Sequence, residues 1–310
     1  MSTLLFVWLV LLSAALASSR AAEQCVPAPD ALLGVEEASG LSLHTFWETT
    51  GRSMRPPGAN LAEFKTWDTV LSVPLYSPTE YRREYLAEVQ LLASQLSPRR
   101  RQAYLRALPE PRLGHSEASY QSAQVVPCFD GQVDGCTAWS LKTAHHALTY
   151  EVATGLRLED YEQIVDFGAG IGEMARLVHD LGFEGHYVIY DLPQVAEISS
   201  FYLRGSGHNV TLATHFSSIP TSRRTLLIAT WSLSEVPFDY RDQILRHFAG
   251  ADFLIIFQAR VFDYHNSPYF LFNFTRRSDT YMRLIPLQFH TGGGGNYYLI
   301  ATARPRLLRV

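Results

Sequence analysis

The sequence predicts an α/β fold: a mostly parallel sheet wrapped by helices, closed by a C-terminal antiparallel hairpin and preceded by a helical N-terminal region. Three observations predict it. From Thr137 onward, short apolar runs alternate with amphipathic ones, the rhythm of strands joined by helical crossovers. Three glycines alternate at the end of the first such run, in VDFGAGIG. The last two apolar runs, MRLIPLQFH and NYYLIATARP, are joined by TGGGG, a connection too short for a helix and suited to a hairpin.

Residues 1–22, MSTLLFVWLVLLSAALASSRAA, hold an apolar run over 4–17 followed by small residues, which reads as a secretory signal with cleavage near Ala17 or Ala21. The run is shorter than the about 20 residues that a membrane span needs, so no stable span is expected. A lumenal or secreted location follows, and the sequons at Asn209 and Asn273 agree with it. Cys128 and Cys136 flank the turn-rich CFDGQVDGC, which either closes as a short disulfide, leaving Cys25 over, or carries unrelated thiols.

A hydrophobic content of 47% supports a large core, and a net charge of -4 excludes a general polyanion binder. No nucleic-acid partner is expected. The one dense basic run, SPRRRQ at 97–102, reads as a solvated helix end.

The segment 23–136 is read as a helical cap region. Its clearest helix is SPTEYRREYLAEVQLLASQL, where Ser77-Pro78 is a start signal and Tyr81, Tyr85, Leu86, Val89, Leu92 and Leu96 share one face. A Pro- and Gly-containing stretch follows and places a boundary near residue 137. Over 137–310 the predicted order opens with helix AWSLKTAHHALTYEVATG, strand QIVDF, helix GEMARLVHDLG and strand HYVIYD. Helix QVAEISSFYLRG, strand NVTLATHF, strand TLLIATWS, helix YRDQILRHFAG, strand DFLIIFQARVF and the hairpin complete it, giving seven strands.

At the carboxyl end of the first strand stand Asp166, Gly168, Gly170 and Gly172. A glycine removes the Cβ where a chain must turn sharply or approach a ligand, and the helix after Gly172 points its free N–H groups into the same crevice. Asp191 ends the second strand, 21 residues after Gly170, where a carboxylate can accept both hydrogen bonds of a ribose diol. The pattern indicates a nucleoside-containing ligand. A dinucleotide competes, since Gly170, Gly172 and Ala175 fit its fingerprint with Asp191 at a suitable distance. Against it stand an acid at 166, which repels a pyrophosphate but suits an amino group, and the C-terminal hairpin.

VDFGAGIG, IYDLP and the final hairpin together resemble a class I methyltransferase that uses S-adenosylmethionine (SAM), with its Rossmann-like seven-stranded methyltransferase sheet. YDLPQVAEISSFYL and WSLSEVPFDYRDQIL further resemble a sugar O-methyltransferase family. The resemblance implies that Asp166, Gly168 and Gly170 line the methionine part of SAM, with Gly172 opening the helix. It also implies that Asp191 and Leu192 hold the ribose and flank the adenine, and it places Phe216 and Trp231 beside the cofactor. An acid often meets the adenine amine near Phe216, and THFSS offers none.

Methyl transfer to oxygen needs an acceptor held in line behind the methyl group and a group to take the hydroxyl proton. ATWSLSEVP offers Glu235 for that task or as a sugar-hydroxyl ligand, and the helix entering the domain offers His145 and His146, with His290 ranked below them. No Cys/His spacing suggests a metal. The expected activity is SAM-dependent O-methyl transfer to a small-molecule or glycan hydroxyl in the secretory pathway. Its alternatives are an NAD(P)-dependent oxidoreductase and a secreted binding protein on an inactive methyltransferase scaffold.

Overall fold

The computed structural model describes residues 82–109, 126–128, 133–222, 224–261, 264–277, 280–287 and 295–303. The expected signal segment, Cys25, Ser77-Pro78, Tyr81 and His290 lie outside the described residues. So do the side chain of Cys128 and most of the glycine turn of the final hairpin. Among the described residues, no helix is long and apolar enough to cross a membrane.

The chain opens with α1 (Arg82–Ser94) and α2 (Pro98–Ala107), then a short hairpin of β1 (Val126–Cys128) and β2 (Val133–Cys136). Cys136 is disulfide-bonded. Next is α3 (Ala138–Thr154), the helix on which the site is built. Thr137 and Ser140 close a reciprocal capping box at its start, and Gly155 ends it in the left-handed region at φ 69°. Buried residues occur all around α3, and its apolar side packs against α1.

The main sheet contains β3 (Gln163–Phe167), β4 (His186–Tyr190), β5 (Thr211–Ala213), β6 (Thr225–Thr230), β7 (Asp252–Gln258), β10 (Tyr281–Leu287) and β11 (Asn296–Thr302). Its order is β10-β11-β7-β6-β3-β4-β5. The strands β5, β4, β3, β6 and β7 are parallel in the 3-2-1-4-5 order of doubly wound sheets, and β11 runs antiparallel to both β7 and β10. The order reverses direction beside β3. A crevice therefore opens outside the carboxyl ends of β3 and β6, because their crossovers leave to opposite sides. This is the Rossmann-like sheet with a C-terminal antiparallel hairpin that the sequence predicts.

Helices α4 (Glu173–Asp180), α5 (Pro193–Gly205), α6 (Phe238–His247) and α7 (Asn266–Thr275) cover the sheet. One buried cluster joins α1, α2, α3, α4 and α5 to one face, and another joins α6 and α7 to the opposite face. The first cluster runs without a break from Tyr85 and Val89 through Leu141 and Leu148 to Ile164 and Ile189, so α1 and α2 share the core of the sheet. A two-stranded ribbon, β8 (Arg260–Val261) with β9 (Tyr264–His265), splits the predicted long strand DFLIIFQARVF after Gln258.

The basic run departs from its expected solvated role. Ser97 caps α2, but Arg100 turns inward: its Nε donates to Glu151 Oε2 at 2.8 Å, and its Nη atoms reach Glu151 and both Glu159 oxygens, the latter at 2.7 Å. A planar guanidinium fork meets each of the two carboxylates with a pair of N–H bonds, which a lysine ammonium cannot match. Removing one partner of such a buried set typically costs about 3–5 kcal/mol. The two sequons also differ: Asn209 is exposed ahead of β5, whereas Asn273 lies within α7 and donates its amide to Tyr269 O at 3.1 Å.

Candidate active site

A cavity of about 610 Å³ opens at the carboxyl end of the parallel strands. At one end lies the glycine loop. Gly168 and Gly170 have φ of 72° and 59°, and the Gly168 N–H donates to Tyr190 O at 2.9 Å. A Cβ on Gly168 would stand 2.2 Å from the Ser232 Cβ, and the Ser232 hydroxyl donates to Phe167 O. Glycine is therefore required where the loops after β3 and β6 cross. Gly172, at φ 89°, serves packing: its missing Cβ admits Leu203 Cδ1, at 2.9 Å, and seats α4 on α5.

Two carboxylates face the loop. Asp166 is 1% exposed, accepts the Tyr187 hydroxyl at 2.8 Å and is pushed up to about 7. Burial raises it, the Tyr187 bond opposes the rise and Asp191 adds to it. Asp191 is partly open to the crevice. Its Oδ2 accepts the Gly170 N–H at 3.0 Å and its Oδ1 the Leu192 N–H at 2.7 Å. Burial also pushes it up to about 7, against those two N–H bonds. Each Asp191 oxygen keeps a second acceptor site for a ligand hydroxyl. Leu192, Pro193 and Val195 form the apolar wall beside it.

At the other end, Trp139, Lys142, Thr143 and His146 project from α3 at spacings that align one face of a helix. Opposite them stand Trp231 and Glu235, on the short turn that follows β6. Trp231 is the one non-glycine residue at positive φ among the described residues, at 68°, a conformation costing about 1–3 kcal/mol. Its N–H donates to Ile256 O and its indole to Asn296 Oδ1, both at 2.8 Å. Lys142 Nζ sits 4.4 Å from the centre of its ring.

Behind Glu235, fully buried Arg241 donates to Val236 O, Asn266 Oδ1 and Ser234 O at 2.6 Å each, gripping the carbonyls on both sides of the glutamate. Phe238, Tyr264, Tyr269 and Phe270 surround that guanidinium, and burial lowers it to about 10.

The structure thus gathers Asp166, Gly168, Gly170, Asp191, Leu192, Trp231, Glu235 and His146 around one cavity. It does not bring in three other expected residues. His145 lies behind the wall, since the next residue on α3 takes the inward direction. Its Nδ1 and that of His146 each lie 2.6 Å from the Tyr298 hydroxyl on β11. One hydroxyl donates one proton, so one ring presents a lone pair there and the other a proton. Gly172 packs helices, as above. Phe216 stands one layer back, against Tyr190 and Tyr240 at 6.2 and 5.6 Å, while Thr214 lines the cavity in its place.

Sequence reasoning missed Lys142, Trp139, Thr143 and Tyr240. The α3 spacing was the available signal for the first three. Among the described residues no cluster suited to a metal ion occurs.

No family model matches the chain, and no curated protein matches it. Solved structures do show likeness. Mitomycin 7-O-methyltransferase is 16% identical over 53% of this chain and 57% of that one, with a TM-score of 0.35. Magnesium protoporphyrin IX methyltransferase from Synechocystis PCC 6803 with bound SAM is 13% identical over 52% and 82%, at 0.40. Human N-acetylserotonin methyltransferase in complex with SAM is 14% identical over 53% and 52%, at 0.36. The match thus spans little more than half of the first and last of these proteins. At such values the likeness is general, and the fold is defined by the strand order itself.

Proposed function

We propose that the chain is a SAM-dependent methyltransferase acting on a hydroxyl, with a small sugar or a glycan as acceptor and the secretory lumen as its place of work. The observation that carries the reading is the union, in one cavity, of a carboxylate-flanked glycine loop with a second polar end. The residues fit the cofactor. Asp191 offers acceptor sites for a ribose diol, Leu192 and Val195 an apolar face for a base, and Asp166 a carboxylate for an amino group. SAM supplies an electrophilic methyl group.

The chain's own part is to bind and orient, to hold water out and to take a proton. Trp139 offers an aromatic face to a sugar ring, and Lys142, Thr143, His146 and Glu235 offer partners for its hydroxyls. A dinucleotide fits less well, because the Asp166 carboxylate stands at the glycine loop where a pyrophosphate would approach.

The test is thermal unfolding with SAM, S-adenosylhomocysteine, NAD and NADP in parallel. A ligand at 100 times its dissociation constant stabilises by about 2.7 kcal/mol, and a shift is expected with the first two alone. A shift with NAD or NADP and none with SAM would overturn the reading.

A further inference from the structure

Resting on the methyltransferase reading, we infer that Lys142 is the group that takes the acceptor's proton, and that Glu235 positions it. Lys142 lies on the cavity face of α3, one turn before His146, with its Nζ against the Trp231 ring on the opposite wall. Glu235 and Asp239 stand across the cavity, and Asp166, Glu173 and Asp191 lie toward the glycine loop. An amine is a stronger base than a carboxylate, so Lys142 suits a hydroxyl proton better than Glu235 does. His146 lines the same cavity with its Nδ1 held by Tyr298, and Lys142 is the stronger base of the two.

Burial pushes the Lys142 ammonium down to about 8, with Glu235 acting in the opposite sense. The Trp231 face also favours the charged form. A group titrating there is neutral in about a tenth of molecules at pH 7, whereas an ordinary lysine is neutral in fewer than about one in a thousand.

The acceptor oxygen forms its bond to the methyl carbon while the sulfur–carbon bond breaks, the electron pair of that bond staying on sulfur. The hydroxyl proton passes to the lone pair of neutral Lys142 and then, from the ammonium, to water in the crevice. Glu235 keeps the ammonium over the crevice between turnovers, and Arg241 fixes the turn that carries Glu235.

Two measurements on the full chain test this. Competitive labelling of Lys142 with acetic anhydride, followed across pH by mass spectrometry, should give a midpoint near 8. It needs no cofactor, and a midpoint above about 10, the range of an ordinary lysine, overturns the inference. Methyl transfer from SAM to a panel of sugars and phenols should rise with pH through the same midpoint. It should fall about 10²-fold or more in both Lys142→Met and Lys142→Arg, with SAM affinity by calorimetry within about threefold of wild type.

Glu235→Gln should move the pH limb of the rate to lower pH. Wild-type turnover in Lys142→Arg would show that only charge is needed and would overturn the inference. A loss of about 10²-fold at every pH in Glu235→Gln, with the limb unmoved, would do so in favour of Glu235. A wild type that binds SAM and methylates nothing on the panel overturns the inference alone, whereas a wild type that binds no SAM overturns the proposed function as well.

Discussion

The two ends of the cavity are built differently. The glycine-loop end comes from one stretch of chain, in which backbone N–H groups of Gly170 and Leu192 aim Asp191 and glycine conformations shape the turn. The acceptor end is assembled from side chains of α3 and of the turn after β6, held by Arg241 below and by β11 behind. A backbone cradle tolerates change in most side chains and almost none at its glycines. A side-chain wall can be altered one residue at a time without disturbing the glycine loop.

The largest expected effect is at the one point where the ends touch. Gly168→Ala places a Cβ 2.2 Å from the Ser232 Cβ on a backbone at φ 72°. Strain of about 1–3 kcal/mol and overpacking of about 1–3 kcal/mol should together destabilise the chain by about 2–6 kcal/mol. SAM binding and acceptor turnover should be lost together, as thermal unfolding and calorimetry would show. A stable Gly168→Ala protein with normal SAM affinity would mean that the two loops are not packed in this way.

Asp191→Ala comes next. It should weaken SAM by roughly 10- to 150-fold, the equivalent of about 1.5–3 kcal/mol for hydrogen bonds to a charged group, and leave the fold intact. Lys142 labelling should be unchanged in this variant if the ends are separable, and a displaced midpoint would couple them.

The smallest effect is on pH. The folded-state pKa of both Asp166 and Asp191 is raised to about 7, above the unfolded carboxylate values near 4. The folded chain therefore holds extra protons between about pH 4 and 7, and without ligand its stability falls as the pH rises through that window. Ribose hydroxyls and an amino group prefer the ionised carboxylates, so SAM binding should release protons. Affinity should improve about tenfold per carboxylate from pH 6 to pH 8. Calorimetry in buffers of different ionisation enthalpy would detect the release, and a pH-independent affinity would place the ligand elsewhere.

The same contrast explains what could be read from the sequence. The strand QIVDF, the helix after it and Asp191 are legible because a contiguous motif carries both the periodicity and the turn chemistry. The site's other half was half legible. Glu235 stands just after a strand end and His146 on the helix that enters the domain, but choosing between His145 and His146 needs the rotation of α3, which its nearly uniform burial hides. Helix α7 was missed because NSPYFLFNFT, with its aromatic residues, carries no strong helical period. Nothing in the sequence singles out Lys142, whose partner Trp231 arrives from the turn after β6, far away in the chain. Arg100 was misjudged for the same reason, since Glu151 and Glu159 lie far from it in sequence.

Strand β11 sets an order of completion. Tyr298 joins the two histidines of α3, and Asn296 receives the Trp231 indole whose backbone is held at φ 68°. Both residues belong to the last described strand and so leave the ribosome after every other piece of the cavity. A nascent chain can shape the glycine loop while β11 is still unmade, but its acceptor wall then lacks both tethers, and Trp231 has no indole partner to offset its strained backbone. On the proposed reading, the half of the cavity that would hold the methyl donor precedes β11 in the chain, and the half that would choose the acceptor waits for that strand.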